Sequence, residues 1–496
     1  MSCSKNVNGL HEQEGNYAYS SLLVSQQKHL PSDPTGNQVS GRRDTVTRTQ
    51  QKPATEVEKS AIRKISIRLV PFVALMFFIN FLDRTAISFA GPNGMMQDLG
   101  LQVAQFGLAS GIFFIGYILL EVPSNLALHR YGARRWLARI MVSWGIVSLL
   151  FTWVSNVEGL YILRLLLGVA EAGFFPGAIF FLSAWVPARH RSKILALFYL
   201  AQPLTVVFGA PLAAWFINQH GLFGLEGWRV MFLGVSIPAI VVGVIAWFYL
   251  IDKPNDAKWL TALEKQWLNT ELAREDAQKS SAANHSLRSV MSNGRVWVLC
   301  LIYFGFVYGL YALAFFLPTI IGGFQSQFNV TFGVMEKGLI TGAPYLVAAI
   351  VMYFWSRDVT RRGCKTWHIA LPALVGAISV PTALYMDTPF ATMVVISLTA
   401  SAIFAALPNF WTLPTQFLSG ASAAAAVALI NTLGNVAGFS AGYITGALHD
   451  VTHSYLAPMM VVGGFMLLSA ILMLVLSRIP HTSSAADVKM KRAGEH

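Results

Sequence analysis

Charge is what this chain has least of: Asp, Glu, Lys and Arg make up only 12% of its 496 residues, about half the share of a soluble globular domain. Set beside 54% hydrophobic residues and a mean hydropathy of +0.53, that scarcity excludes an ordinary soluble protein and points to a polytopic membrane protein. Cysteine is equally sparse. Cys3, Cys300 and Cys364 lie far apart, which implies neither a disulfide framework nor a metal site. No apolar h-region marks the first sixty residues, so no cleavable signal peptide is expected. Glycine-rich nucleotide loops and nucleophile elbows are missing too, which removes support for an ATP-driven pump or a hydrolase and makes an enzyme unexpected.

What is present is apolar sequence in long runs. Twelve are read near 68–90, 104–128, 136–154, 159–184, 193–218, 229–250, 296–320, 338–356, 366–386, 390–412, 421–447 and 456–478. Each approaches the roughly 20 residues that cross a hydrocarbon core about 30 Å thick. The net charge of +12 would suit nucleic acid, but the basic residues cluster in short stretches between these runs, at 129–135, 189–193 and 357–365. The intervening connections carry mostly single acids, such as Asp98, Glu158, Asp387 and Asp450. By the positive-inside rule the basic stretches and both termini face the cytoplasm, which places a multi-pass protein in the plasma or inner membrane.

The organisation follows. Residues 1–60 read as a disordered cytoplasmic tail, 61–250 as a first six-helix bundle, 251–295 as a cytoplasmic linker, 296–478 as a second bundle and 479–496 as a short tail. Within the linker, Trp259, Leu260, Leu263, Trp267, Leu268 and Leu272 mark an amphipathic surface helix over 256–274. The fold class is an all-α membrane protein of twelve transmembrane helices in two pseudo-symmetric bundles, with a substrate site between them near the midplane. A faint internal echo agrees: Gln202 precedes Gly209 by seven residues in span five, and Asn431 precedes Gly438 by seven in span eleven. Such a carrier needs no partner to form its pathway, so a monomer in the bilayer is expected.

Charge inside the spans is lopsided. The first half holds Asp83 and Arg84 in span one, Glu121 in span two, and Arg164 and Glu171 in span four; the cores of spans seven to twelve hold none. Intramembrane charges cost at least about 2.5–3.5 kcal/mol each and usually line a pathway or pair with one another. At 1.5 Å per residue, Asp83 lies about 22 Å into span one and Arg164 about 8 Å below the outer face, similar depths at which they could pair, while Glu171 lies near the midplane. Two acids in different surroundings, beside arginines able to hold an anion, suit coupled movement of protons and an anion. Asp83 and Glu171 are therefore the proton-coupling candidates, with Arg84 helping to hold a carboxylate. A purely structural ion pair is the plainer alternative.

Glu121, near the cytoplasmic end of span two, reads as a structural partner for Arg134, Arg135 or Arg191. The second half offers neutral polarity: Asn409, Trp411, Thr412, Asn431, Thr432 and Asn435 can bond a substrate or one another across helices. Gly434, Gly438, Gly442 and Gly446 form a close-packing ladder. His449 and His453 have helical metal-ligand spacing without a third ligand, so no metal is expected.

Several stretches together resemble the anion:cation symporter family of the major facilitator superfamily. They are Asn80-Phe81-Leu82-Asp83-Arg84, the run from Phe113 to Asn125, Gly132-Ala133-Arg134, the run from Arg164 to Pro176, Asn293 to Trp297, and Phe410 to Pro414. The nearest branch looks like bacterial permeases for tartrate, rhamnonate, phthalate and related carboxylates. The resemblance implies proton-coupled uptake of a small organic anion by alternating access, driven by a proton gradient with no cofactor. It assigns proton coupling to Asp83 and Glu171, accompanying cations to Arg84 and Arg164, and substrate contacts to Tyr117, Gln202, Trp411 and Asn431. Two departures stand out. His129 occupies the place of an acid common in the loop after span two, and Phe81 lacks the hydroxyl often found in sugar-acid carriers. Alternatives are a pH-independent facilitator or exporter of uncharged solutes, and a carboxylate sensor that transports nothing.

Overall fold

In hydrocarbon a backbone must satisfy its own hydrogen bonds, so apolar runs of this length close into helices. The computed structural model describes residues 54–280, 291–414 and 420–478, and among these twelve helices are long and apolar enough to cross a membrane. The expected tails, 1–60 and 479–496, lie outside the described residues except at 54–60, which are the start of the helix Ala54–Arg68 and not a disordered segment. The spans are Val70–Ala90, Val103–Tyr131, Ala133–Leu150, Val157–Glu171 continued by Phe174–Trp185, Ala188–Ile217 and Gly227–Tyr249 in the first half. Gly294–Phe328, Val334–Arg362, Trp367–Thr382, Pro389–Phe410, Gly420–Thr452 and Leu456–Arg478 follow in the second.

Two boundaries differ from the sequence reading in an instructive way. Span five begins at Ala188 rather than 193, so Arg189, His190 and Arg191 form its first turn instead of a loop. Cations oppose the positive end of a helix dipole, and acids from elsewhere offset them. Glu58 meets Arg189 at 3.0 Å and His190 at 2.7 Å; Glu275 meets Arg191 at 3.2 Å and accepts the Ala188 N–H at 2.5 Å. The linker helix runs over Ala262–Ser280 rather than 256–274. Its start is set by a capping box: the Glu264 N–H donates to Thr261 Oγ1 at 3.3 Å and the Thr261 N–H to Glu264 Oε2 at 2.8 Å.

Span four is broken. Its first half stops at Glu171, Ala172 is extended, and Gly173 takes φ +83°, a left-handed conformation that glycine adopts freely. The freed carbonyl of Ala172 accepts Ser124 Oγ at 2.6 Å, so the break leaves Glu171 at a helix end in the interior without stranding that group.

The two halves meet along two glycine-lined seams, both toward the end opposite the basic stretches. On one, Gly107 and Gly111 of span two lie against Gly442, Gly446 and Phe439 of span eleven; on the other, Gly338 and Gly342 of span eight lie against Ala210, Ala214 and Val207 of span five. Asp450 Oδ2 adds a bond across the first seam by accepting the Ala104 N–H at 2.8 Å. Lower on the ladder, Gly434 faces Tyr303 and Gly438 faces Phe114, so all four glycines serve close approach.

Candidate functional site

Between the halves, on the basic side of these seams, lies a cavity with about 60 Å³ of free space, room for a few water molecules. Arg84, Tyr117, Gln202, Trp411 and Asn431 are in its wall, joined by Tyr199, Tyr303, Tyr311 and Asn435. Residues from spans one, two, four, five, seven, ten and eleven thus converge on one chamber, and among the described residues of its lining Arg84 is the single cation.

Arg84 organises it. Its Nε donates to Glu171 Oε1 at 2.9 Å and its Nη2 donates to the same oxygen, while Nη1 donates to Tyr311 Oη at 2.8 Å. The guanidinium also lies 4.9 Å from the ring of Phe113 and 5.3 Å from that of Tyr117, within cation–π range. Glu171 itself is fully buried behind Arg84, whose two bonds to it both go to Oε1, and the Asn80 side chain lies beside the carboxyl. One guanidinium therefore touches the cavity on one side, a carboxylate on another and the opposite half of the protein on a third.

Three sequence expectations change. Asp83 and Arg164 do not pair. Asp83 accepts Trp144 Nε1 at 2.9 Å and Ser148 Oγ at 2.8 Å, both from span three. Arg164 spends its donors on backbone carbonyls, those of Ala109 at 2.9 Å, Ser110 at 3.1 Å and Arg84 at 3.4 Å. The reason is angular: neighbours on a helix point about 100° apart, so Arg84 faces the cavity while Asp83 faces the first half's interior. Arg164, expected at the substrate, is accordingly absent from the cavity wall in this conformation, although it shares the Phe113 ring with Arg84, at 5.3 Å. Glu121, expected to pair with the basic stretches, instead reaches across to span eleven. There it accepts Asn431 Nδ2 and, at 3.2 Å, Asn435 Nδ2.

The tyrosines of span seven were missed by attending to charges and amides alone. Their signal was spacing: Tyr303, Val307 and Tyr311 repeat every four residues on one face of an otherwise apolar helix. Among the described residues no group of three His, Cys, Asp or Glu side chains is placed to hold a metal ion. His449 instead lies 4.4 Å from the Tyr455 ring.

Comparison with known proteins agrees with this architecture. Residues 73–442 match the family model described as the Major Facilitator Superfamily. A protein of Agrobacterium vitis named "Putative tartrate transporter" is 43% identical over 441 residues, covering 89% of this chain and 96% of that one. The inner membrane transport protein RhmT of Escherichia coli is 33% identical, covering 88% and 99%. The quinolone resistance transporter of Acinetobacter baumannii is 34% identical, covering 84% and 95%. In fold, the partially occluded inward-open xylose transporter XylE of E. coli is similar at TM-score 0.67 over 85% of this chain and 99% of that one, with 16% identity. The chain is a multi-pass membrane transporter that belongs to the major facilitator superfamily, in its bacterial organic-anion permease-like branch.

Proposed function

We propose that the chain is a proton-coupled symporter importing a small organic carboxylate by alternating access. The observation that carries this reading is Arg84, exposed to the cavity and bonded to Glu171 behind it. A guanidinium can accept a substrate carboxylate in a bidentate fork, and here it competes with a carboxylate of the protein. A proton on Glu171 weakens that internal pair and frees Arg84 for the substrate; loss of the proton restores the pair and expels the anion. Oε2, the oxygen that Arg84 does not bond, is the atom available for that proton. Charge balance agrees. Three carboxyls (Asp83, Glu121, Glu171) stand with two guanidiniums (Arg84, Arg164) in this region, so an entering anion adds to a negative excess that proton uptake removes.

In this scheme Asp83 is the second proton-coupling acid, acting through its bonds to span three rather than by touching substrate. Arg164 holds spans two and four in register. Tyr117, Gln202, Trp411 and Asn431 are the substrate contacts, no cofactor beyond the proton gradient is needed, and a monomer in the plasma membrane with both termini cytoplasmic suffices. The relative named for tartrate supports a carboxylate.

Uptake of radiolabelled tartrate, nicotinate and other organic acids into proteoliposomes with an imposed proton gradient tests this. Glu171→Gln should abolish gradient-driven accumulation while leaving exchange of internal for external substrate intact; uphill uptake at the wild-type level in that variant overturns the coupling role. A second reading, export, draws on the relative named for quinolone resistance, and substrate extrusion from preloaded vesicles under the same gradient would favour it.

A further inference from the structure

Glu121 is the one buried carboxyl of this cluster that the coupling scheme leaves without a task. It lies one helical turn beyond Tyr117, which puts both on the cavity side of span two. It is held by two neutral amides and both belong to the opposite half. Asn431 and Asn435, themselves one turn apart on span eleven, present their Nδ2 groups to its two oxygens. Both amides also line the cavity. Paired side-chain amides aimed at one point form a carboxylate receptor, and Glu121 is the protein's own carboxylate seated in it.

We infer that Glu121 is a gate residue that yields the Asn431–Asn435 amides to the second carboxylate of a dicarboxylate substrate whose first carboxylate is on Arg84. The inference rests on the carboxylate-carrier reading above and names its substrate class. The cavity then has two anion-receiving stations on facing walls, Arg84 on the first half and the asparagine pair on the second. Each is covered in this conformation by an internal acid, Glu171 on the first and Glu121 on the second. A dicarboxylate replaces both at once. A monocarboxylate replaces one and leaves the Glu121 tie between the halves in place. The amides keep their hydrogen bonds when one carboxylate replaces another, and the displaced Glu121 avoids standing as an unpaired buried charge by taking up a proton.

The test compares tartrate with threonate, which has the same four-carbon chain with one carboxylate replaced by a hydroxymethyl group. Equilibrium binding of each labelled acid is measured on the full chain in detergent. Glu121→Gln removes the charge-assisted competitor, so tartrate should bind at least about threefold tighter while threonate stays within about twofold. Asn435→Ala removes one receptor amide, so tartrate should weaken about fivefold or more with threonate again unchanged. Glu121→Asp, which shortens the reach to both amides, provides the same comparison should the glutamine variant fold poorly. Equal changes for both acids, or weaker tartrate binding in Glu121→Gln, overturn the gate and leave the carrier reading standing. A wild-type protein that binds neither acid nor any other carboxylate overturns both.

Discussion

Arg84 and Asp83 are adjacent in sequence and chemically remote in space, and the difference comes down to what each can reach. Arg84 spreads three donor atoms over Glu171 and Tyr311; Asp83 is enclosed by Trp144 and Ser148. A lysine at position 84 keeps the charge but has neither the planar fork nor the reach to serve both partners. Arg84→Lys should therefore lower initial uptake at least about tenfold, a loss of about 1.4 kcal/mol or more. Tyr311→Phe, which removes one hydrogen bond, should cost about 1 kcal/mol. Initial-rate uptake assays decide this, and a lysine variant working at the wild-type rate would show that charge alone matters. That the acids and arginines of spans one and four carry the chemistry was readable from their cost in hydrocarbon. Their pairing was not, because helix rotation, and not depth, sets which neighbour each side chain meets.

At the scale of elements, close approach of helices decides where the site can form. Gly168 of span four lies against the backbone of span two, and a Cβ there would overlap the Phe113 carbonyl and stand 2.9 Å from the Tyr117 nitrogen. Phe113 and Tyr117 carry the rings that face Arg84, so separating these helices disturbs the cavity wall. Gly168→Ala should lower the thermal unfolding midpoint by several degrees, in line with an overpacking cost of about 1–3 kcal/mol. Gly376→Ala is the control. The atoms in its way are the tip of Met466, a flexible side chain that can turn aside, so its midpoint should move much less. Equal losses in the two variants would refute the backbone argument. The break in span four belongs to this scale as well: Gly173 and Pro176 stand in the sequence, but the Ser124 hydroxyl that donates to the freed Ala172 carbonyl comes from span two.

Across the whole molecule, the two sides are organised differently. The end opposite the basic stretches is closed by glycine seams and the Asp450 bond. On the basic side the helix Ala54–Arg68 is clasped to the linker helix, with Glu264 accepting from Ser60 at 2.7 Å and Lys64 at 2.8 Å. Burial alone would raise the Glu264 carboxyl, but the bonds from Lys64, Ser60 and the Thr261 N–H outweigh it and hold it at about 2, below its ordinary 4.5. A carboxyl lowered by folding stabilises the folded arrangement above its unfolded value and loses that contribution as pH falls through the folded one. The clasp should therefore stay intact from neutral pH down to about 5 and open between about 4.5 and 2. Hydrogen exchange over residues 54–68 measures this: protection should fall only in that window, and in Glu264→Gln it should be reduced at every pH. Protection that declines already near pH 6 would show that the Glu264 carboxyl does not control the clasp.

The twelve helices, the division into two halves and the concentration of charge in the first were all legible from local sequence, because burial of apolar length and the cost of intramembrane charge act without reference to a partner. The receptor-like chamber was decided by tertiary structure. Tyr303, Tyr311 and the Glu121–Asn431–Asn435 contact come from helices hundreds of residues apart. Which faces of two helices meet is set by the rotation and crossing of both bundles, a geometric quantity that no single span encodes.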